Sequence, residues 1–555
     1  MSISNPAEKL LERGRVNANQ PFLHQPVGGH WRTYTWGQVA DTARRMATAL
    51  QALGLPAGSR VAISGVNTAH WFMADFACGL AGLVGVGLYP KQAEEHIRFI
   101  LEHSEAKAIV LGPMPDVESF LRAVPKDVLL IGLPYPGVPQ DKCQYQWDEL
   151  VASHEPIKEV VERGPDDLWS LIYTSGTTGN PKGVMISAKN LEFSTNGLLR
   201  DMPARGEEVF LSYLPLAHAF ERGAIELGSL YLGAQVYFLE SLDVLGETLR
   251  YVRPTRFFGV PLVWTRVQGQ VLKQLPQEKL NRLLHIPFIS ALVKRKLKKA
   301  LGMDRCWFRV SGAAALPTAT LEWYRRIGLE IYQGYGMTEN AIYCSVNLPG
   351  ANKPGSVGRP YIDSLVRIDG DGTGDGEILN RHDAITPGYF KDPEKTAALF
   401  TQDGWLKTGD VGHIDSDGFL WITGRVKEIF KTAKGKYVAP APIEGALAAC
   451  TDIEQLCFVG NGLTQPIMLV TLSEEGRSAA RDEVGKRLTT QMQAVNATLE
   501  PHERIAKIVV VKDEWTIDNG LVTPTMKVKR AVVEKHYQAL LQKEINIRGD
   551  LSWEV

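Results

Sequence analysis

The sequence lacks the features that are typical of secreted, membrane-spanning and nucleic-acid-binding proteins. It has only six cysteines in 555 residues, with no CxxC pair and no metal-finger spacing, which predicts reduced thiols rather than a disulfide framework. The longest apolar run, residues 77–89, is shorter than the roughly 18 residues that span a bilayer, and glycines interrupt it. The 61 basic and 62 acidic side chains give a net charge of -1, so the chain has no basic field for a nucleic acid.

These absences also predict where the protein works. The first twenty residues lack the basic and apolar regions of a secretory signal, and scattered thiols suit a reducing compartment. We therefore expect a cytoplasmic protein. Because the chain is nearly neutral, any anionic ligand must be held by a few local groups.

Length and hydrophobic pattern predict an α/β protein with more than one domain. A chain of 555 residues exceeds the roughly 250–300 residues at which single cores stop growing. Short apolar strands alternate with helical patterns, which favours parallel βαβ units in layered sheets. The strands are predicted at residues 60–64, 108–111, 128–131, 208–213, 235–239 and 256–260.

The pattern changes after residue 360. Short runs separated by Gly-Asp turns predict antiparallel strands that form a small β-barrel-like part. Beyond Gly424, helical patterns alternate with strand patterns at residues 455–459, 467–472 and 508–511. We predict a large domain over residues 1–424, a hinge at residues 425–427 and a smaller, mobile α+β domain over residues 428–555.

A loop suited to phosphate follows the predicted strand that ends at Tyr173. Residues 174–183 read TSGTTGNPKG and carry four side-chain hydroxyls, three glycines and one lysine, Lys182. Glycines let backbone N–H groups approach a ligand, and hydroxyls and lysine bind phosphate oxygens. The loop is not a Walker A motif, because Lys182 stands between Pro181 and Gly183.

This loop resembles the signature of the AMP-forming adenylate-forming enzymes, which include acyl-CoA synthetases, luciferases and peptide-synthetase adenylation domains. The resemblance covers nearly the whole chain and is closest to long-chain fatty acyl-CoA synthetases. It continues in order through LPLAH at 214–218, GVP at 259–261, SGAA at 311–314, YQGYGMTE at 332–339, GYF at 388–390, WLKTGD at 405–410, GRVKE at 424–428 and TPTMK at 523–527.

The resemblance implies a two-step ligase that uses ATP, Mg²⁺ and coenzyme A. A carboxylate attacks the α-phosphorus of ATP to give acyl-AMP and pyrophosphate, and a thiol then displaces AMP. The implied catalytic residues are Lys527, Lys182, Glu339 and His218, with Lys527 bridging the carboxylate and the α-phosphate. Taken alone, the basic run at 527–530 is typical of a solvated face, and a single Glu is typical of a solvated surface charge.

The resemblance also implies the binding residues. Glu339 and Thr174 would hold Mg²⁺, Asp410 the ribose hydroxyls and Arg425 ribose or phosphate, while Gly435 lies on a segment that would build a thiol tunnel in a second domain orientation. The implied nucleotide and cofactor contacts are Thr174, Ser175, Gly176, Thr177, Thr178, Gly179, Lys182, Gly312, Ala313, Ala314, Gln333, Gly334, Tyr335, Gly336, Met337, Thr338, Asp410, Arg425, Lys427 and Gly435.

Three residues are candidates for contacts with the acid substrate: His218, Gly223 and Trp264. The small residues after His218 would leave an elongated cavity for an alkyl chain, although close helix packing explains the same pattern. Trp264 falls where long-chain enzymes of this family place a tunnel-gating tryptophan. An ordinary core position remains an alternative for both His218 and Trp264.

The predicted function is therefore activation of a medium- or long-chain fatty acid and its transfer to coenzyme A. Alternatives are an acyl-AMP ligase that loads a carrier protein, an aryl- or short-chain acid-CoA ligase, and a nucleotide-binding protein without catalysis. Residues 283–303 combine apolar and basic side chains, which leaves open a weak peripheral contact with the inner membrane face. A homodimer is left open as well.

Overall fold

The structure is a computed structural model that describes residues 5–174, 180–370, 374–523 and 526–554. A seven-stranded sheet lies at the centre of the large N-terminal domain, and all its strands but the last run parallel. The strands of four or more residues consist mostly of buried apolar residues, as expected for strands that are covered on both faces of the sheet. In spatial order the strands are Tyr145–Gln146, Leu129–Gly132, Ala106–Leu111, Arg60–Ser64, Val84–Leu88, Leu168–Thr174 and Lys182–Ser187.

A five-stranded sheet completes the part of the domain that carries the motifs. Its first three strands are parallel, so their carboxyl ends lie at one edge. Ligands of open parallel sheets bind at that edge. In order the strands are Arg256–Gly259, Phe308–Ser311, Tyr332–Tyr335, Ser345–Val346 and Arg359–Pro360.

Two four-stranded sheets flank this core. One contains Val209–Ser212, Gln235–Phe238, Pro21–Val27 and His30–Thr35. The other is antiparallel throughout and contains Leu365–Asp369, Gly376–Arg381, Leu406–Ile414 and Leu420–Arg425. The predicted antiparallel strands are confirmed. The predicted barrel-like closure is not seen in the described residues, because the first and last strands lie at opposite edges of an open sheet.

The smaller C-terminal domain has its own sheet and cores. A short ribbon, Phe430–Lys431 with Tyr437–Val438, precedes a mixed sheet of Ile453–Val459, Ile467–Leu472, Lys507–Val510 and Leu551–Trp553. Apolar side chains cover both faces of the mixed sheet and form two buried clusters. The predicted α+β character of this domain is thus confirmed.

Helices cover the sheets. In the large domain the α-helices are Pro6–Val16, Trp36–Ala52, Ala69–Leu80, Glu94–Ser104, Val117–Ala123, Trp147–Ser153, Ala188–Asp201, Ala219–Glu221, Gly228–Leu232, Leu245–Val252, Pro261–Gln274, Gln277–His285, Pro287–Ala300, Thr318–Arg326 and Pro393–Leu399. A π-helical turn spans Arg222–Leu227, and 3₁₀ turns span Gln140–Lys142, Leu242–Val244 and Thr338–Asn340. In the small domain the helices are Pro440–Leu447, Glu474–Ser478, Arg481–Asn496, Arg530–His536 and Gln538–Glu544.

The cysteines and the helices bear on the predicted reduced thiols and on the predicted lack of a membrane span. All six cysteines are free thiols. Among the described residues, no helix combines the length and apolar character needed to cross a bilayer.

Among the described residues, three ion pairs join the two domains, and all lie at the protein surface. Arg266 and Lys273 of one large-domain helix pair with Glu454 at 2.6 Å and Glu475 at 3.2 Å. On another side, Lys91 pairs with Asp518 at 2.8 Å. Exposed pairs each contribute at most about 1 kcal/mol and weaken with salt. These ion pairs therefore hold the orientation only weakly, and the helix Pro440–Leu447 of the small domain also packs against the strand Leu420–Arg425 of the large domain.

We predict that the double change Arg266→Glu and Lys273→Glu moves the domains apart by like-charge repulsion. Electron–electron distance measurements between spin labels on the two domains should show the population of this orientation falling by about tenfold. Adding Glu454→Arg and Glu475→Arg restores opposite charges and should restore the distances. Identical distances in all variants, at low and high salt, would contradict the prediction.

Candidate functional site

The predicted motifs meet in a cleft of about 2960 Å³ that lies between the two domains. The large-domain wall is built mainly at the carboxyl ends of the parallel strands, and the small domain closes the opposite side. The predicted residues that line it are Thr174, Lys182, His218, Gly223, Gly312, Ala313, Ala314, Gln333, Gly334, Tyr335, Gly336, Met337, Thr338, Glu339, Asp410, Arg425, Lys427 and Lys527.

The phosphate loop connects two strands whose ends face each other. Thr174 ends one strand and Lys182 begins the next, and the two residues are partners in the antiparallel ladder. Both therefore enter the cleft at the same place. The predicted contacts Ser175, Gly176, Thr177, Thr178 and Gly179 lie outside the described residues.

Lys182 stands against an aromatic ring. Its Nζ is 4.7 Å from the centre of the Tyr389 ring, a distance at which the ring face attracts an ammonium. Burial lowers the pKa of Lys182, and the negative charge of Glu339 opposes that shift. The lysine is thus a cation in a partly desolvated position, which suits binding of a phosphate.

Glu339 lies in the 3₁₀ turn Thr338–Asn340, just after the strand Tyr332–Tyr335. Its side chain is buried, and its Oε1 accepts a hydrogen bond of 2.8 Å from the Tyr389 hydroxyl. A buried carboxylate needs such a partner. The remaining carboxylate lone pairs are available to a hard cation such as Mg²⁺.

Asp410 is buried at the floor of the cleft and has two protein partners. Its Oδ2 accepts from the Tyr335 hydroxyl at 2.6 Å, and its Oδ1 accepts from Arg425 Nε at 2.8 Å. Each carboxylate oxygen can accept a second hydrogen bond. Asp410 is therefore oriented in advance and can still accept from ribose hydroxyls.

The loop after the strand Phe308–Ser311 forms a wall of small side chains. Ala313 adopts a left-handed conformation with φ of 67°, which is uncommon for a residue with a Cβ and is typical of functional sites. At the next strand, Gly336 leaves no room for a side chain, because an added Cβ would lie 2.4 Å from the Ile342 carbonyl carbon. Gly336 therefore lets the backbone of Ile342 pack closely behind this wall.

Gln333 holds this wall rather than presenting a free amide. Its Oε1 accepts from the Leu316 backbone N–H at 2.8 Å, and its Nε2 donates to the Ser356 carbonyl at 3.1 Å. The predicted cofactor residue therefore lines the cleft, but both polar atoms of its side chain already have partners. We interpret it as a support for the loop.

His218 begins the short helix Ala219–Glu221 and is neutral. Its Nδ1 accepts from the Phe220 N–H at 3.1 Å, so the proton of the neutral ring is on Nε2. Burial, with a contribution from the charge of Lys527, lowers the pKa of His218 to about 4. At neutral pH the ring can donate a hydrogen bond from Nε2 and carries no charge.

The cleft extends into the large domain as an apolar arm. Gly223, on the π-helical turn, lies at its side, and an added Cβ there would meet Ile342 Cδ1 at 2.9 Å. The arm is lined by Leu198, Met202, Phe210, Leu232, Phe258 and Val346. This lining suits a hydrocarbon chain.

Two predicted site residues are not brought into the cleft. Trp264 is fully buried in a separate core, edge-on to Phe257 and Tyr324 at ring distances of 5.3 and 5.4 Å. Trp264 therefore occupies an ordinary core position, the alternative considered from the sequence, and its side chain does not line the cleft in the described residues. Gly435 lies in the exposed turn of the small domain's ribbon, with φ of 76°, away from the cleft in this orientation.

Lys527 reaches the cleft from the small domain. Its side chain is open to the solvent of the cleft, yet protein surrounds the cleft on most sides. This partial desolvation, together with the charge of Arg425, lowers the pKa of Lys527 to about 8, while Asp410, Glu428 and Glu339 oppose the shift. The lysine is therefore mostly charged at neutral pH.

Two residues with clear roles were not singled out in the sequence. Tyr389 contacts both Lys182 and Glu339, and the GYF motif that contains it is the only sign of this role in the sequence. Glu221 is buried and accepts from the Ser212 hydroxyl at 2.7 Å and from the Tyr213 N–H at 3.0 Å, and burial raises its pKa to about 8. It fixes the loop that carries His218. In the sequence, only its position three residues after His218 indicates that Glu221 supports this loop.

The sequence profile of the AMP-binding enzyme matches residues 10–390, and that of the AMP-binding enzyme C-terminal domain matches residues 427–545. The chain belongs to the AMP-binding enzyme family. It is 32% identical over 599 residues to the long-chain-fatty-acid–CoA ligase FadD15 of Mycobacterium tuberculosis, with 97% of each protein covered. It is 30% identical to the long-chain-fatty-acid–CoA ligase ACSBG2 of Gallus gallus, over 94% of this chain and 78% of that protein.

Solved structures share the fold. The anthranilate CoA ligase AuaEII in complex with anthranoyl-AMP is similar with a TM-score of 0.80 at 22% identity, over 98% of this chain and 99% of that chain. This likeness confirms the predicted architecture of a large N-terminal domain with mixed sheets and a smaller C-terminal domain. The limits of the hinge and the roles of the site residues in this AMP-binding enzyme stay predictions.

We predict that the pKa of Lys527 limits this AMP-binding enzyme at alkaline pH. If its charge is needed, kcat/KM of ATP–pyrophosphate exchange falls as pH rises through about 8, because the ammonium loses its proton. Lys527→Arg keeps the charge and should lack this fall. Lys527→Ala should lower the rate by at least about a hundredfold with no alkaline limb. If kcat/KM of Lys527→Arg still falls at alkaline pH as it does in the unaltered protein, the fall must be due to another group.

Proposed function

We propose that this protein is an ATP-dependent fatty acid–CoA ligase that prefers long-chain acids. The observation that carries the proposal is the meeting of Lys527 with Lys182, Glu339 and Asp410 in one cleft, beside an apolar arm. The family and the long-chain-fatty-acid–CoA ligases to which the chain is similar support ATP and coenzyme A as substrates.

In the first step a carboxylate oxygen attacks the α-phosphorus of ATP, and pyrophosphate leaves. The transition state concentrates negative charge, so positioned cations lower its free energy. Lys527 stabilises the charge on the carboxylate and the α-phosphate, and Lys182 binds the phosphates beyond it. Asp410 accepts hydrogen bonds from ribose and fixes the nucleotide. In the second step the thiol of coenzyme A attacks the acyl carbon and AMP leaves.

The residues present fit Mg²⁺ bound together with the nucleotide. Glu339 offers a buried carboxylate and Thr174 a hydroxyl, and both line the cleft. The described residues contain no cluster of three or more His, Cys, Asp or Glu side chains that could hold a metal ion. In nucleotide sites, Mg²⁺ is held largely by phosphates and water. When bound, Mg²⁺ neutralises charge on the phosphates.

The second step is proposed to use another orientation of the small domain. Lys527 occupies the cleft in the present orientation, whereas Gly435 lies outside it. Rotation about Lys427 would withdraw the lysine and bring the exposed turn that contains Gly435 to the thiol. The surface position of the interdomain ion pairs is compatible with such a rotation.

The proposed function predicts a specific pattern of substrates. Pyrophosphate release should be fastest with long-chain acids, slow with acetate and benzoate, and coupled to thioester formation when coenzyme A is present. The measurement is pyrophosphate release over a panel from acetate to oleate and benzoate, with and without coenzyme A. Release of pyrophosphate with acyl-AMP accumulation despite coenzyme A would favour the carrier-protein alternative. A preference for benzoate would favour an aryl-CoA ligase.

We also propose that the helix Pro287–Ala300 touches an anionic membrane surface. Phe288 is 92% exposed and Leu292 is 52% exposed, and Arg295 and Lys299 follow on the same helix face. Ile286 and Ile289 are exposed beside them. Apolar side chains next to cations suit the boundary of anionic lipids.

A homodimer remains a prediction.

Sedimentation with vesicles tests this contact. Binding to phosphatidylglycerol vesicles should exceed binding to phosphatidylcholine vesicles and fall with salt. The triple change Arg295→Glu, Lys296→Glu and Lys299→Glu should abolish it, as should Phe288→Ser with Leu292→Ser. A control with the same charge change at Lys486, Lys512 and Lys535 of the small domain should bind normally. Equal sedimentation of all variants, or none at low salt, would disprove the contact.

A further inference from the structure

Lys182 and Glu339 carry opposite charges but do not pair with each other. Lys182 begins an edge strand of the seven-stranded sheet, whereas Glu339 follows a strand of the five-stranded sheet. Within the described ranges no ion pair joins them, although the negative charge of Glu339 acts to raise the pKa of Lys182. The separation of the two side chains is therefore set by the contacts that each makes with other residues.

One segment, residues 386–390, is hydrogen-bonded to both elements. On the side of Glu339, the Thr386 N–H donates to the Glu339 carbonyl at 2.8 Å. On the side of Lys182, the Phe390 N–H donates to the Gly183 carbonyl at 2.8 Å, and the Met185 N–H donates to the Gly388 carbonyl at 3.1 Å. The segment therefore bridges the backbone of the two elements.

Tyr389, at the centre of this bridge, reaches both side chains. Its hydroxyl donates to Glu339 Oε1 at 2.8 Å, and its ring face lies 4.7 Å from Lys182 Nζ. The ring is buried. Its backbone is fixed as well, because its N–H donates to Thr396 Oγ1 at 2.9 Å. The side chain thus has little freedom to move away from either charge.

We propose that Tyr389 is a positioning residue that keeps Lys182 and Glu339 apart and ready for the phosphates of ATP. Its ring attracts the ammonium and its hydroxyl occupies one carboxylate oxygen, so the two charges do not neutralise each other. Without it, the lysine and the carboxylate would form a direct ion pair that the nucleotide and its cation must break. The inference rests on the proposed ATP-dependent function.

The test compares two changes at Tyr389 with a matched control. Tyr389→Phe removes only the hydroxyl, and Tyr389→Leu removes the aromatic face as well. The control is Tyr537→Phe in the small domain, where a buried tyrosine hydroxyl accepts from Trp515 Nε1 at 3.1 Å. Calorimetric binding of ATP is measured with and without Mg²⁺, in the absence of any acid, and ATP–pyrophosphate exchange is measured separately.

We expect Tyr389→Phe to weaken binding of ATP with Mg²⁺ by about tenfold, because Glu339 loses the charged hydrogen bond that orients it for the cation. Binding of ATP without Mg²⁺ should change less than twofold, because the phenylalanine ring still attracts the Lys182 ammonium and keeps it from the carboxylate. Tyr389→Leu should weaken binding with Mg²⁺ further, and Tyr537→Phe should match the unaltered protein. In the ATP–pyrophosphate exchange assay, Tyr389→Phe should raise the KM for ATP more than it lowers kcat.

Several outcomes would overturn the inference. Binding by Tyr389→Phe equal to that of the unaltered protein, or equal losses with and without Mg²⁺, would show that the hydroxyl does not prepare the carboxylate for a cation. A similar loss in Tyr537→Phe would indicate a general effect of removing a buried hydroxyl. Failure of the proposed function is distinct, because it would appear as an unaltered protein that binds ATP but activates no acid.

Discussion

The cleft depends on the electrostatic interaction of the Lys527 ammonium, from the small domain, with acidic groups that belong mainly to the large domain. The chain is nearly neutral overall, so it cannot hold a polyanion by a general positive field. Instead Lys527 lies in a cleft where partial desolvation, together with the charge of Arg425, lowers its pKa to about 8 and Asp410, Glu428 and Glu339 oppose that shift. Those acids keep the lysine charged before its anionic ligands arrive.

The large domain prepares its side of the cleft with buried hydrogen bonds. Asp410 is held by Tyr335 and Arg425, and Glu339 is held by Tyr389. Parallel strands make this arrangement feasible, because their carboxyl ends bring loops from distant parts of the sequence to one edge. Buried carboxylates that are already hydrogen-bonded need little rearrangement when a ligand binds.

The sequence predicted the parts of the fold that depend on local pattern. The strand Arg60–Ser64 has the predicted limits, because an apolar run between turns is sufficient to define it. Motif residues such as Glu339 and Lys527 do share a cleft. The position of Trp264 in a separate core and the use of the Gln333 amide by the backbone depend on long-range partners, Tyr324 and Ser356 among them. No local pattern identifies such partners.

The two halves of the site differ in how strongly they are held, and this difference has a mechanistic consequence. The carboxylates of Asp410 and Glu339 are buried, so breaking their hydrogen bonds leaves a largely desolvated charge at high cost. The ion pairs of Arg266 and Lys91 with the small domain are exposed to water, which replaces them readily. In the proposed mechanism, Lys527 would leave the cleft without disturbing the groups proposed to hold the nucleotide. The proposed exchange of one catalytic group for another between two steps would need this separation of a rigid half from a weakly held half.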